Sequence, residues 1–522
     1  MAFGVLETKD SVQPAGTVFL EDSQDGMHTI LVPSPSNSPN DPLNMPRLRK
    51  ELFFLTILFG ACATGALGPV LVPAFGIISQ TFETPLSSVA LLNGSLVLGL
   101  GVSAYVLSVA ADLWGRRIIF ILTSVLLIVS NIWAAVSQGY KSLLVARVFQ
   151  GFAMGPFFAL AGTSCVNDVF FLHERGRRVG LWNFAVIVSV NIAPVISGYL
   201  IVDMGWRWAF WFMAVAFAVG FIMVIFFFPE TKWERQEIMS SPEAKETMSS
   251  PEAGVNEKAE VSSIKAKADE AQPVETTVPP TWKKILGVQH LQFSSAKELL
   301  PGLVGPISML RQPVVIWGCI MYSITFTWVI ILGAVADQIF GAPPYNLDPT
   351  QVGLAIGIAP LIGSALGTFI SGWMSDLAAR YMSTFNGGLY EPEFRLVVIV
   401  PAVITMVVGG FGLGNAIEHS KSTMVCCVFM ALINFGVGAG CTGIITYTND
   451  VCMDRAGNAF GLAMLIKSSF AFGLTFMLND YYAAKGPEVF FGTWGGLTLG
   501  VCLTTVPLYI FGKRIRSWTA HW

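Results

Sequence analysis

Two cations lie where a water-soluble chain would not keep them. Lys467 sits about ten residues into one apolar run, and Arg147 about five residues into another. A charge inside hydrocarbon costs several kcal/mol unless it is hydrated or paired, so such groups normally face a cavity or a partner. Their chemistry is anion contact or proton handling. A guanidinium keeps its proton in proteins, which leaves Lys467 as one candidate for the group that exchanges a proton. Gln150, three residues beyond Arg147, shares its helix face. Snorkelling to the outer interface is the alternative for Arg147, and a purely structural pair between helices is the alternative for Lys467.

No Asp or Glu falls near the middle of any apolar run. A carrier of organic cations would be expected to offer a buried carboxylate. The cavity candidates here are instead amides and aromatics: Asn183, Asn191, Asn434, Tyr322, Trp328 and Tyr447. With Lys467 and Arg147 they point to an amphipathic substrate that is neutral or anionic. No catalytic residues and no metal site are expected. The chain has no P-loop, no HExxH and no GxSxG, so hydrolysis and ATP-driven transport lack their parts. The eight cysteines show no CxxC or zinc spacing and read as buried thiols.

These residues must be positioned by membrane helices. Of 522 residues, 53% are hydrophobic and 12% charged, against about 25% charged in soluble domains. The apolar runs have helical length, not the ~10 alternating residues of a barrel strand. Asp112-Leu113-Trp114-Gly115-Arg116-Arg117 joins two of them by a very short turn, and its two guanidiniums place that turn on the cytoplasmic side. Twelve spans follow, at about 52–75, 88–110, 118–137, 142–166, 179–202, 207–228, 313–336, 351–374, 396–414, 423–447, 457–478 and 488–511. Of the 31 Lys and Arg residues, 25 fall in predicted cytoplasmic segments and four in external loops. Both termini are therefore expected inside.

The expected organisation is a disordered tail (1–50), a six-helix half (51–228), a linker (229–312), a second six-helix half (313–511) and a short tail (512–522). The linker repeats Ser-Ser-Pro-Glu-Ala at 240–244 and 249–253 and reads as solvated low-complexity chain, with phosphorylation of the repeats as the alternative reading. Its last part, Trp282 to Leu310, suggests an interfacial helix. Asn93-Gly94-Ser95 is a glycosylation sequon inside a span, where it should stay unmodified. The halves echo each other, with Asp112 after the second span and Asp376 after the eighth. Repeated halves around a cavity are the architecture of alternating-access carriers. Nucleic-acid binding has no support.

Several local patterns resemble the major facilitator superfamily, and within it the fungal twelve-span drug:proton antiporters. Residues 108–117 resemble the signature loop Gly-x-x-x-Asp-Arg-x-Gly-Arg-Arg, with Ser108 and Leu113 as departures. Arg147-Val148-Phe149-Gln150-Gly151-Phe152 resembles the fourth-helix Arg motif. Ala193-Pro194-Val195-Ile196-Ser197-Gly198 resembles the fifth-helix antiporter motif, keeping Pro194 and Gly198 but not the flanking glycines. Residues 205–211, 228–231, 390–396 and 512–514 resemble later landmarks.

The resemblance implies twelve transmembrane helices in two halves around a central cavity, and a monomer. It implies a plasma-membrane pump, with the vacuolar membrane as the alternative, driven by protons without a cofactor. Asp112, Gly115, Arg116, Arg117 and Asp376 would form a conformational latch; Arg147 would contact substrate or aid proton transfer; Pro194 and Gly198 would serve gating. Export of a small metabolite, toxin or drug is the leading reading. A proton-driven importer is the alternative, and a non-transporting sensor a more distant one. Small-xxx-small pairs such as Gly353/Gly357 are expected to let helices approach and slide.

Overall fold

The computed structural model describes residues 5–6, 17–19, 41–232, 296–387, 389–452 and 455–519. The Ser-Ser-Pro-Glu-Ala repeats lie outside them, as does the first part of the predicted interfacial segment. Among the described residues, twelve long helices form the body. The first half contains α1 (Arg47–Leu67), α2 (Leu86–Trp114), α3 (Arg116–Val136), α4 (Tyr140–Ala159), α5 (Leu172–Met204) and α6 (Trp206–Phe227). The second contains α7 (Pro313–Phe340), α8 (Pro349–Phe385), α9 (Ile399–Glu418), α10 (Thr423–Cys452), α11 (Ala456–Thr475) and α12 (Leu478–Cys502). Among the described residues, eleven segments are long and apolar enough to cross a membrane. The twelfth helix, α11, falls short of that apolarity because Asn458, Lys467, Ser468 and Ser469 dilute it.

Several helices run beyond their predicted spans. Helix α8 reaches Phe385 rather than residue 374, and α5 starts at Leu172 rather than 179. Hydropathy reports only the stretch that suits hydrocarbon; the backbone keeps its helical bonds past the interface. The predicted C-terminal tail is likewise helical, over Thr505–Thr519. The N-terminal tail also departs from expectation. Val18–Phe19 (β1) pairs antiparallel with Leu389–Tyr390 (β2), and Val5 is buried. A described helix, Ala296–Ile307, packs against α2 and α11, and the Tyr105 hydroxyl donates to the Leu303 carbonyl.

The face carrying both described termini is called the terminal face below, the opposite one the far face. Here the two halves repeat one device. Arg116 opens α3 and pairs with Asp168 just beyond α4, with Asp112 near the end of α2 at 3.8 Å. Arg395, just before α9, lies 3.2 Å from Asp376 in α8 and 2.6 Å from Asp450 in α10. Each Arg thus ties together the ends of three helices in its own half. Burial pushes the neighbouring Tyr390 phenol above its usual range, and Asp450 adds to that, so the phenol stays protonated and donates to Asp450 at 2.5 Å.

The halves meet along two seams, α5 against α8 and α2 against α11. Backbone lies on backbone there. A side chain begun at Gly353 would meet the Pro194 carbonyl at 2.2 Å, and one at Gly357 the Asn191 carbonyl at 2.6 Å. On the other seam Gly101 leaves room for Ser468, whose Cβ would lie 2.3 Å from an added methyl. Gly353→Val should therefore force α5 and α8 apart, at a cost of about 1–3 kcal/mol. Gly372→Val, with open space around it, is the control. Thermal unfolding in detergent should show a lowered midpoint for the first and little change for the second.

Candidate functional site

The site is built around a break in the first span. Helix α1 leaves α geometry at Gly68, and a 3-10 turn follows over Pro69–Ala74 before a short helix, Phe75–Phe82. Pro69 and Pro73 have no N–H to donate, so the regular ladder cannot continue. Beside this change of geometry, Arg147 from α4 brings further donors to the chain's carbonyls. Its guanidinium donates to Leu67 O at 3.0 Å, Gly68 O at 3.3 Å and Leu92 O at 3.4 Å. It also donates to Gln150 Oε1 at 3.0 Å and Asn93 Oδ1 at 3.3 Å. Gln150 in turn donates to Ser130 O and Asn131 Oδ1, both at 3.3 Å.

Arg147 is fully buried and turned into its own half. It neither snorkels nor projects into open space, which corrects both positions expected for it. The reason is local: the end of α1, the α2 backbone, Asn93 and Gln150 all offer neutral oxygens within hydrogen-bond reach. Asn93 links this network to a small cavity between the halves, walled by Phe75, Asn93 and Val97 on one side and Ile330, Ala334 and Thr475 on the other. The wall is apolar except for one amide and one hydroxyl.

Lys467 lies deeper along α11, almost wholly buried at 3% exposure. Its Nζ stands 3.7 Å from the Phe326 ring centroid and 5.4 Å from that of Tyr322. It forms no ion pair with any described residue. Cation–π contact contributes about 0.5–2 kcal/mol, less than the several kcal/mol that burying an ammonium costs. The aromatic pair shelters the cation without neutralising it. An incoming anion, or loss of the proton, would relieve the remaining cost.

Other predicted residues are distributed differently. Asn191 on α5 donates to Ser364 on α8 at 3.3 Å, across the seam. Pro194 and Gly198 lie on that same seam, with Thr350 donating to the Gly198 carbonyl at 3.4 Å. Trp328 is not a cavity residue: its indole donates to Thr498 at 3.0 Å inside the second half, where large aromatics fill the core. Asn434 donates to Met430 O of its own helix at 3.0 Å. Tyr447 is buried edge-to-face on Trp317. Asn183 is half-buried on α5, and neither it nor the other five candidates walls the cavity.

The expected latch is re-paired. Arg116 binds chiefly Asp168, and Arg117 donates to the Ile225 carbonyl at 2.8 Å rather than to Asp112. Gly115, at φ +95°, makes the turn. Glu230 accepts from the Arg116 and Arg117 amides at 2.9 and 3.1 Å, capping the start of α3. Sequence reasoning passed over Asp168, Glu230 as a cap, Phe326 and Asn93 as a site residue. Phe326 was findable, four residues from Tyr322 on one helix face. Asn93 was noticed only as part of a sequon.

A twelve-helix, two-half body with a charged, broken-helix centre is a transporter architecture, and the comparisons agree. The sequence profile of the Major Facilitator Superfamily matches residues 52–475, so the chain belongs to that family. It is similar to an uncharacterized MFS-type transporter of Schizosaccharomyces pombe, 25% identical over 94% of this chain and 88% of that one. It is also similar to the multidrug transporter DTR1 of Candida glabrata, 24% identical over 80% of this chain and 76% of the relative. Among solved structures, a D-xylose-proton symporter superposes with a TM-score of 0.59 at 15% identity, covering 88% of this chain and 98% of the symporter. The protein is a multi-pass membrane transporter; its family and fold are those of transporters, not enzymes.

Two substitutions test the geometry. Arg147→Lys keeps the charge but loses the planar fork, and with it most of the five hydrogen bonds to Leu67, Gly68, Leu92, Asn93 and Gln150. We expect a loss of about 1–3 kcal/mol, seen as a drop in thermal midpoint, with Arg147→Ala no better. Glu230→Gln weakens the cap on α3 and should cost about 1–3 kcal/mol, checked in the same assay.

Proposed function

We propose that the protein is a proton-coupled exporter of small amphipathic compounds, neutral or anionic, working by alternating access in the plasma membrane with both termini cytoplasmic. One observation carries this reading. Lys467 is a buried cation beside the inter-half seam, sheltered by Phe326 and Tyr322 and without a carboxylate partner among the described residues. Such a group favours an anionic or acceptor-bearing ligand and penalises a dication, since like charge in a low-dielectric site costs heavily. The same group can exchange a proton between states, which would couple the cycle to a proton gradient. The multidrug name of one relative supports efflux as the direction. The small cavity at Asn93 and Thr475 would then be the remnant of the substrate path in a closed conformer.

The test is accumulation in a null fungal strain. A labelled weak-acid metabolite and a labelled organic dication are followed with and without a protonophore. Lowered intracellular weak acid, lost with the protonophore or with Lys467→Ala, is the expected result. Raised uptake of either probe would make the protein an importer. Export of the dication in preference to the acid would overturn the role given to Lys467.

A further inference from the structure

The small cavity between the halves and the buried Lys467 belong to one column. Its walls can be followed helix by helix. On α7, Ala334 and Ile330 line the cavity, and Phe326 follows one turn nearer the terminal face. On α11, Thr475 and Ala471 line it, and Lys467 follows one turn on. Residues four apart share a helix face, so Phe326 and Lys467 form the next layer of the same two walls. Their contact agrees, with Nζ 3.7 Å from the ring centroid.

Helix α2 supplies the third wall, with Asn93, Gly94 and Val97 at the cavity. It runs antiparallel to α11 and in register with it. A side chain begun at Gly94 would meet Thr475 Oγ1 at 2.4 Å, and one at Gly101 would meet Ser468 Cβ at 2.3 Å. The column therefore continues from the Thr475 layer to the Lys467 layer without a change of partners.

The two ends of this column are polar and its middle is not. At one end Lys467, 3% exposed, has no hydrogen-bond acceptor among the described residues, and the Phe326 ring holds the place beside its ammonium. At the other end Asn93 Oδ1 accepts from Arg147 at 3.3 Å, while the amide nitrogen has no acceptor among the described residues. Thr475, beside it, donates to the Phe472 carbonyl at 2.7 Å and keeps its oxygen free to accept. Between the ends lie Val97, Ile330 and Ala471. Lys467 and Thr475 are eight positions apart, about 12 Å along the helix axis.

We propose that this column is a two-point site for an elongated amphipathic carboxylic acid. The carboxylate binds Lys467 in the place of the Phe326 ring. The apolar body lies along Val97, Ile330 and Ala471. A neutral acceptor, a hydroxyl or carbonyl oxygen about 12 Å from the acid, takes the free N–H of Asn93. The proposal rests on the anion reading given above and adds to it a length and a second recognised group.

The experiment measures binding, which depends on neither direction nor proton coupling. The purified full chain in lipid nanodiscs, with empty discs as the blank, is saturated with tritiated ω-hydroxydecanoate, whose extended length is about 12 Å. Unlabelled acids then compete. Decanoate, which lacks the far hydroxyl, should compete about fivefold less well. The longer ω-hydroxyhexadecanoate should also compete less well, although it is more apolar. Asn93→Ala should bring ω-hydroxydecanoate to the level of decanoate and leave decanoate unchanged, and Lys467→Gln should weaken both by about tenfold or more. Asn93→Ala also removes an acceptor of Arg147, so the ranking of acids on the unaltered protein is decisive by itself. Equal competition by decanoate and ω-hydroxydecanoate, or affinity that keeps rising with chain length, would overturn the two-point site and leave the anion reading in place. Tighter binding of decyltrimethylammonium than of decanoate would overturn the anion reading and this site with it.

Discussion

A guanidinium inside the membrane layer has to find acceptors within the protein, and Arg147 finds five neutral ones. That requirement shapes its surroundings. The first span changes from α to 3-10 geometry at Gly68–Pro69, and the Leu67 and Gly68 carbonyls there accept from Arg147. Gln150 is held in turn by the third helix, and Asn93 carries the network to the edge of the cavity. Irregular backbone at this depth is tolerable only because protein, not lipid, surrounds it. The arrangement needs no carboxylate, which is why the absence of Asp and Glu from the span centres does not leave Arg147 unsatisfied. Lys467 is the contrasting case. It is buried as deeply but has rings where Arg147 has oxygens, so part of its cost is left for a ligand or a proton to remove.

The remaining ionic contacts stiffen the halves. Arg116 and Arg395 each gather three helix ends, at equivalent places in the two repeats, and neither ties one half to the other. The seams between halves are made differently, from glycines and backbone carbonyls on α5, α8, α2 and α11. Side-chain locks inside each half and smooth contacts between them suit two bodies that rock against each other. Small residues at the seam let them approach closely without long side chains to disengage.

Much of this was legible in the sequence. The twelve-helix, two-half body followed from apolar run length. The spacing from Arg147 to Gln150 gave a contact that the structure contains, and Asp112 with Asp376 gave the echo of the repeat. What was not legible depended on distant contacts. Asp168 and Glu230 are ordinary acidic residues near span ends, and nothing local says that one pairs with Arg116 while the other caps α3. Trp328 looked like a cavity aromatic because periodicity cannot tell the inside of a half from the space between halves. The docked N-terminal strand was missed for a related reason. A two-residue pairing far along the chain leaves no period, and the composition around it is that of a solvated tail.

The dilution of α11 has a consequence for how the protein is made. A lysine near the centre of a helix raises the cost of its entry into the bilayer by about 2.5–3.5 kcal/mol on insertion scales, and the flanking serines and Asn458 add to it. Most of the other spans can partition into lipid as they leave the ribosome; this one has little to gain by doing so alone. Its stable place exists only once α2 and α7 are present to receive it, with Phe326 and Tyr322 waiting on α7. Insertion of α11 therefore leans on its neighbours, so substitutions that loosen those neighbours would lower the yield of inserted protein before they altered its turnover.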